Sequence, residues 1–207
     1  INKAMAAAER VFDVLDTQED LKDKPDAKEL PKISGKVKFD HVSFGYKDGV
    51  NVLHDLSLTA NPGQVIAFVG PSGAGKSTIA NLIPRFYDVT EGAITIDDID
   101  IRDVTIKSLR EQIGVVPQET MLFSGTIKEN IRYGRLDATD EEIIEAAKKA
   151  RVHKYIMSLP QGYDTMVEED GGNMSQGQMQ LVCIARIMLT HPPMLILDEA
   201  TSSIDTR

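Results

Sequence analysis

Apolar and polar positions follow different periods along the chain, and each period predicts a different kind of element. In INKAMAAAERVFDVLD the apolar side chains recur at helical spacing, which predicts an amphipathic helix over residues 1–15. The polar stretch 16–35, with two prolines, predicts a linker or a draped loop. From Val37 the pattern changes to alternation, so VKFDHVSFGY and NVLHDLSLTA are typical of half-buried antiparallel strands.

Short apolar runs farther along predict a sheet interleaved with helices. VIAFV (65–69) and MLILD (194–198) are typical of buried strands, and QVIAFVG leads into a helix predicted from Lys76 to Phe86. GAITIDDIDI and IGVVPQE add alternating or apolar strands, while the section 126–189 is mostly helical, with a clear cap in TDEE. The fold class is therefore α/β, with an antiparallel β part before the core and a helical insertion inside it.

Composition narrows the classes of function. The chain has 207 residues, 42% of them hydrophobic, which suits one domain, or one domain plus an appended segment. A net charge of -9 argues against a general nucleic-acid binder, which would carry a basic face. The single cysteine, Cys183, gives no internal disulfide framework, and its apolar setting predicts a packed core thiol. No apolar run approaches the roughly eighteen residues of a membrane span, and no signal peptide is present, so we expect a water-soluble, cytosolic unit.

The strongest chemical signal is GPSGAGKST, residues 70–78, which matches the phosphate-loop pattern G-x-x-x-x-G-K-[ST]. Its glycines let several backbone N–H groups converge on phosphate oxygens. Lys76 would place a positive charge on the β- and γ-phosphates, and the Ser77 hydroxyl would hold Mg²⁺. A plain glycine turn is the weaker alternative, because a predicted strand and helix flank the loop. The predicted nucleotide contacts of this loop are Pro71, Ser72, Gly73, Ala74, Gly75, Lys76, Ser77 and Thr78.

The run MLILDEATSSID supplies acidic partners for this loop. Asp198 and Glu199 follow an apolar strand, at the carboxyl end where α/β proteins bind ligands. Asp198 is the expected partner of Mg²⁺, and Glu199 is placed to polarise an attacking water. Alone, such a pair is as often a solvated surface feature.

The stretch NMSQGQMQL, 173–181, predicts a second helix end suited to an anion. Ser175 and Gln178 have the capping-box spacing, and an apolar helical pattern follows. The outward N–H groups and the positive helix terminus favour a phosphate, while an ordinary cap is the alternative.

With these motifs together, the chain resembles the nucleotide-binding domain of an ATP-binding cassette (ABC) transporter of the exporter type, similar to multidrug and lipid exporters. The match runs from about Val37 to the end, in the order phosphate loop, VVPQE, signature and acidic strand. FDHVSFGY resembles the adenine-stacking strand of exporters. MLFSGTIKENIRYG resembles the segment that contacts the membrane domain, and AAAERVFDVLD resembles the helix that leaves the last membrane span.

The resemblance implies ATP and Mg²⁺ as ligands and a second cassette as partner. It implies that Tyr46 stacks on adenine and that Gln118 senses Mg²⁺ and the attacking water. Because cassettes of this family pair head to tail, Ser175, Gly177 and Gln178 would contact an ATP held by the partner's phosphate loop. The implied catalytic residues are Glu199, Gln118 and Lys76, and the implied metal-site residues are Ser77, Gln118 and Asp198.

Two of the chain's departures from the family pattern bear directly on the nucleotide site. Its signature reads MSQGQ, so Gln176 stands where the family has glycine and adds bulk beside the nucleotide. The family's switch histidine lies past Arg207, and no histidine of this chain takes its place. We therefore expect residues 1–35 to be the end of a membrane-domain helix plus a linker. Residues 36–207 would be a nucleotide-binding domain truncated before that histidine, with further sequence at both ends and little activity alone.

The leading hypothesis is an ATP-hydrolysing motor domain at the cytoplasmic face of the membrane. Two cassettes would close around two MgATP to drive export through a transmembrane domain of the same full-length chain, without a nucleic-acid partner. One alternative is a degenerate ATP-binding cassette with a regulatory role in a heterodimeric transporter, favoured by Gln176 and opposed by Glu199 and Lys76. A soluble ABC ATPase acting on DNA or ribosomes is a further alternative, disfavoured by the acidic composition and single cassette.

Overall fold

The structure is a computed structural model that describes residues 2–16, 21–47, 49–71, 73–117, 120–168 and 173–198. Its described part alternates strands and helices. The strands are β1 (Val37–Phe44), β2 (Leu53–Ala60), β3 (Glu91–Ile96), β4 (Ile99–Asp100), β5 (Ile113–Val116), β6 (Gly125–Thr126), β7 (Met166–Val167) and β8 (Met194–Leu197). The helices are α1 (Asn2–Leu15), α2 (Lys76–Leu82), α3 (Ile106–Arg110), α4 (Ile127–Arg132), α5 (Asp140–Lys149), α6 (His153–Ser158) and α7 (Gln176–Met188).

An antiparallel sheet forms the first half of the molecule, as the alternating pattern predicts. Its strand order is β2-β1-β3-β4, with Phe39 opposite Leu58 on one side and Ile94 on the other. Both pairings of β1 shift register near His41, which has a left-handed backbone with φ 51°. The inner face of the sheet packs with α2 and α3 into one buried cluster, in which Phe39 and Ile96 are fully covered.

A second cluster joins α4, α5, α6 and α7 with the end of β5. Thr126 and Thr139 cap α4 and α5 through reciprocal bonds with a glutamate three residues later, so TDEE does begin a helix. Apolar side chains of α7 pack against α4 and α5. Cys183 lies in this cluster as predicted, and burial raises the pKa of its thiol.

A parallel pair, β5 and β8, forms a separate sheet, in register from Ile113 opposite Met194 to Val116 opposite Leu197. The strand in MLILD is therefore confirmed, but its predicted full burial is wrong. Met194, Leu195 and Ile196 are half-buried and Leu197 is exposed, because β5 is the only described strand bonded to β8.

The predicted strand QVIAFVG, residues 64–70, is not formed. Val65 and Val69 are 97% and 95% exposed, and the segment makes no ladder with β5, β8 or any other described strand. A strand needs a hydrogen-bonding neighbour and a surface to cover it. The described residues place neither beside this segment, so its apolar composition alone does not make it a buried strand.

Two further elements differ from their predicted extent or exposure. Helix α2 ends at Leu82 instead of continuing to Phe86, because Pro84 has no N–H for the next helical bond and Arg85 takes a left-handed φ of 55°. Helix α1 has the predicted bounds almost to the residue, yet the described members of its apolar stripe, Ala8, Val11, Phe12 and Leu15, are exposed.

The described part of the polar stretch before β1, residues 21–35, is a draped loop. Leu30 and Ile33 are buried, and their backbone N–H groups donate to Ser108 Oγ and Gln112 Oε1, both at 2.9 Å. Farther on, the Asp97 carboxylate accepts the backbone N–H groups of residues 34–36. These bonds fix the loop against the sheet and α3.

Candidate nucleotide site

The phosphate loop has the backbone that its glycines predict. Gly73 and Gly75 take left-handed φ angles of 80° and 86°, which side-chain-bearing residues adopt rarely. Gly75 is the N-cap of α2, and among the described residues no side chain caps that helix. The first N–H groups of a helix have no partner within it, so those of α2 suit an external acceptor such as a phosphate. Ser72 lies outside the described residues.

The side chain of Lys76 folds back onto the phosphate loop. Its Nζ donates to the carbonyl oxygens of Gly70 and Pro71, both at 2.8 Å. An ammonium has three N–H donors, so this arrangement holds the charge above the loop and leaves one donor for another acceptor.

Ser77 joins the phosphate loop to the end of β8. Its Oγ donates to Asp198 Oδ1 at 3.0 Å, and both residues are half-buried. The backbone N–H of Asp198 donates to the Val116 carbonyl at 3.0 Å, which extends the β5–β8 pairing by one bond. Asp198 is thus held at the carboxyl end of the parallel pair. The predicted residues Gln118 and Glu199 follow β5 and β8 in the chain but lie outside the described residues.

Tyr46 lies beside the same helix start. Gly45 brings the chain past Val50 so closely that a Cβ on Gly45 would lie 2.0 Å from the Val50 carbonyl oxygen. This close approach sets the turn from which Tyr46 extends. The Tyr46 hydroxyl donates to Thr78 Oγ1 at 3.1 Å, which places the predicted adenine-stacking ring next to the predicted phosphate contacts.

Sequence patterns gave no indication of Tyr87, which belongs to the surroundings of Tyr46. The two rings are 5.0 Å apart at 88°, an edge-to-face contact. Because 41 positions separate the two residues, no local period could have indicated this pair.

Helix α7 begins as the S-x-x-Q spacing predicts. Ser175 Oγ accepts the Gln178 backbone N–H at 3.2 Å, and Gln178 Oε1 accepts the Ser175 N–H at 3.0 Å, which completes the capping box. Ser175 and Gln176 are exposed, and Gly177 lies in the first turn. Within the described part of the chain, no hydrogen bond joins this helix start to the phosphate loop.

Arg186, near the other end of α7, is a second residue that sequence patterns did not single out. Its guanidinium donates to the Asn130 carbonyl at 2.8 Å, to Asn130 Oδ1 at 3.1 Å and to the Met121 carbonyl at 3.2 Å. It also lies over the rings of Phe123 and Tyr133. Arg186 therefore ties α7 to α4 and to the segment that follows β5.

The described ranges hold neither a metal-binding cluster of side chains nor a helix that could span a membrane. No group of three or more His, Cys, Asp or Glu side chains there could hold a metal ion. No helix there has the length and apolar character that crossing a membrane requires. A site for Mg²⁺ does not need such a cluster, since this ion is commonly held by one or two protein oxygens together with phosphates.

Comparisons with known proteins agree on one family. A family model described as "ABC transporter" matches residues 53–202. The chain is 53% identical, over 207 residues, to the "Fatty acid ABC transporter ATP-binding/permease protein" of Mycobacterium bovis. This match covers 100% of the chain and 32% of the Mycobacterium protein. The chain is also 52% identical, over 206 residues, to the "ATP-dependent lipid A-core flippase" of Syntrophus aciditrophicus, and this match covers 100% of the chain and 34% of the flippase.

A solved structure gives the same result. It is titled "Structure of a bacterial Atm1-family ABC exporter with ATP bound", and it matches with a TM-score of 0.89 and 47% identity over 100% of this chain and 36% of that one. The chain spans about a third of the length of the relatives that it matches.

Proposed function

Because this chain belongs to the ABC transporter family, we propose that it is the ATP-binding and ATP-hydrolysing motor domain of a membrane exporter. The observation that carries the proposal is the hydrogen bond between Ser77 and Asp198, which joins the phosphate loop to the carboxyl end of β8. In this proposal residues 36–207 belong to the nucleotide-binding domain. Residues 1–35 are the end of a membrane-domain helix plus the loop that follows it.

The donor set at this junction fits Mg²⁺. The Ser77 hydroxyl and the Asp198 carboxylate lie within 3.0 Å of each other, and hard oxygen ligands are those that Mg²⁺ prefers. Gln118 would complete the set by its position after β5. When bound, the ion neutralises charge on the β- and γ-phosphates. Ser77 and Asp198 would hold and orient it from the two sides of the junction.

The phosphate loop would bind the triphosphate through its N–H groups and Lys76. The carbonyls of Gly70 and Pro71 are weak partners for an ammonium compared with phosphate oxygens, so Lys76 would turn from them to the β- and γ-phosphates. There its charge would stabilise the transition state, while Glu199 orients or deprotonates the attacking water and Gln118 senses it. Tyr46 would stack on adenine.

Helix α7 would act on the nucleotide of a second cassette. Its capped start exposes Ser175 and Gln176 at the positive end of a thirteen-residue helix. Ser175, Gly177 and Gln178 would therefore approach the γ-phosphate held by the partner's loop. Pairing of two identical or two different cassettes around two MgATP would drive a transmembrane domain. The nucleotide-binding domain would then lie at the cytoplasmic face of the membrane.

The test uses the full-length protein with three variants. Lys76→Ala should weaken ATP binding at least tenfold, since one charge-assisted phosphate contact contributes about 1.5–3 kcal/mol. Glu199→Gln should keep ATP binding and abolish hydrolysis. Lys154→Ala, which removes an exposed lysine on α6, is the matched control and should change neither. Unchanged binding in Lys76→Ala would overturn the proposal, whereas a wild-type protein that binds ATP without turnover would favour a degenerate, regulatory cassette.

A further inference from the structure

Three aromatic rings form a cluster beside the start of α2. Phe44 and Tyr46 are 5.0 Å apart at 84°, Tyr46 and Tyr87 are 5.0 Å apart at 88°, and Phe44 and Tyr87 are 5.7 Å apart at 48°. Two rings therefore lie almost perpendicular to that of Tyr46. Such edge-to-face contacts restrict the rotation of the ring between them.

Burial separates the roles of the three rings. Phe44 is only 4% exposed and belongs to the core of the antiparallel sheet. Tyr46 and Tyr87 are 48% and 44% exposed, so their contact is made at the surface and contributes little to the core. Two half-exposed rings in contact leave aromatic surface to water beside the phosphate loop, which is the place where a nucleobase would lie.

The Tyr46 ring is also held at its far end. Its hydroxyl donates to Thr78 Oγ1 at 3.1 Å, and Thr78 is buried in the first turn of α2, directly after Ser77. The plane of the ring is thus set relative to the phosphate loop by one polar contact and by the flanking rings.

Tyr87 is itself on a fixed segment. Arg85, two positions before Tyr87, donates two hydrogen bonds to Asp88, the residue after it: Nε to Oδ1 at 2.6 Å and Nη2 to Oδ2 at 3.0 Å. Arg85 is buried, and its carbonyl accepts a further bond from Arg110 at 2.8 Å. The turn that carries Tyr87 is therefore fastened on both sides, which allows its ring to position a neighbour.

We propose that Tyr87 is a positioning residue for nucleobase recognition, holding the ring of Tyr46 in the orientation that receives adenine. The inference rests on the proposed function, in which Tyr46 stacks on the base. With Tyr87 present, the Tyr46 ring is ordered before the nucleotide arrives, so binding does not carry the entropy cost of ordering it. Without Tyr87 the ring would have to be immobilised by the base itself.

The test compares two ligands on the full-length protein in the presence of Mg²⁺: ATP, and inorganic tripolyphosphate, which has no base. Tyr87→Leu should weaken ATP binding roughly 2- to 12-fold, the factor that corresponds to an aromatic pair. It should leave tripolyphosphate binding unchanged. Tyr87→Phe keeps the ring and should bind ATP as the wild type does. Phe86→Leu is the matched control, because its neighbouring, equally exposed ring faces Arg110 instead and should affect neither ligand.

A Tyr46→Leu variant separates the failure of this inference from the failure of the proposed function. If Tyr46→Leu leaves ATP binding intact, stacking on Tyr46 is wrong and the positioning role of Tyr87 is overturned with it, whereas ATP binding by the phosphate loop, tested by Lys76→Ala, still stands. If Tyr46→Leu loses the preference for ATP over tripolyphosphate and Tyr87→Leu keeps it, stacking on Tyr46 stands and only the positioning role of Tyr87 is overturned. Equal weakening of ATP and tripolyphosphate in Tyr87→Leu would also overturn it. Thermal unfolding checks that the variants are folded, and Tyr87→Met replaces Tyr87→Leu if the latter is not.

Discussion

The hydroxyl of Ser77 donates a 3.0 Å hydrogen bond to Oδ1 of Asp198, 121 positions later in the chain. Ser77 is on the first turn of α2, and Asp198 is fixed by its own N–H on the Val116 carbonyl of β5. The phosphate loop and the parallel pair therefore meet at one polar contact. A ligand that needs oxygen atoms from both sides finds them already adjacent.

Replacing Ser77 should reduce the magnesium-dependent part of ATP affinity. Ser77→Ala removes one oxygen ligand, and we expect the gain in ATP affinity on adding Mg²⁺ to fall about tenfold, as loss of about 1.4 kcal/mol implies. Calorimetric titrations of the full-length protein with Mg²⁺ and with EDTA measure this gain. Ser158→Ala, which removes a hydroxyl at the end of α6, is the control and should keep the full gain. An undiminished gain in Ser77→Ala would show that Ser77 does not hold the ion.

The capped start of α7 permits a test that separates stability from function. Ser175→Ala should cost about 0.5–2 kcal/mol of stability and also lower ATP hydrolysis, whereas Ser175→Asn should retain stability and still lower hydrolysis. Thr139→Ala removes the same kind of cap from α5. The unfolding midpoint of this variant should fall as much as that of Ser175→Ala, while its rate of ATP hydrolysis should match that of the wild type. Thermal unfolding and hydrolysis assays on the full-length protein give both readouts. If Ser175→Asn hydrolyses ATP at the wild-type rate, Ser175 acts only as a helix cap and has no role in hydrolysis.

A methyl group on Gly45 should displace Tyr46. The added Cβ would lie 2.0 Å from the Val50 carbonyl oxygen, so the turn must open, at a cost of about 1–3 kcal/mol. We expect Gly45→Ala to lose affinity for ATP and to keep its affinity for tripolyphosphate. Gly63→Ala serves as control, since its φ of 76° is strained but its Cβ meets no atom within 4 Å. An ATP affinity equally unchanged in both variants would contradict this role of the turn.

His41 on β1 and Asp55 on the neighbouring strand β2 predict that the stability of the protein depends on pH. The hydrogen bond from His41 to Asp55, 2.6 Å long, raises the pKa of His41, with help from the charge of Asp55. A raised pKa in the folded state stabilises the protein fully below the unfolded value of about 6.5, and this contribution is lost as the pH rises through the folded pKa.

Asp55→Asn tests this linkage and tolerates the left-handed backbone at position 55. The variant should be less stable than the wild type at pH 5.5 and equally stable above the folded pKa of His41. Its His41 ring signal should titrate at lower pH in nuclear magnetic resonance spectra. Identical titration in the two proteins would show that Asp55 does not hold the proton.

Local signals predicted the elements whose ends are set by neighbouring residues. The cap of α7 follows from Ser175 and Gln178, and that of α5 from Thr139 and Glu142, because the partners are three positions apart. The strand predicted for residues 64–70 is wrong, because the apolar composition of this segment does not indicate which strand would pair with it. Tyr87 and Arg186 escaped notice for the same reason, since their contacts exist only in three dimensions. The motif residues at the phosphate loop and at Asp198 could be named in advance, but their mutual bond could not.

Helix α7 is fastened at both of its ends. Ser175 closes the capping box, and eleven positions later Arg186 bonds the carbonyls of Met121 and Asn130. At 1.5 Å per residue these points are about 16 Å apart. Turning α7 about its axis would break the bonds that Arg186 makes to Asn130 and Met121. A pull on the exposed start of α7 would therefore be resisted by α4 and by the segment after β5, at contacts about one and a half nanometres along the helix.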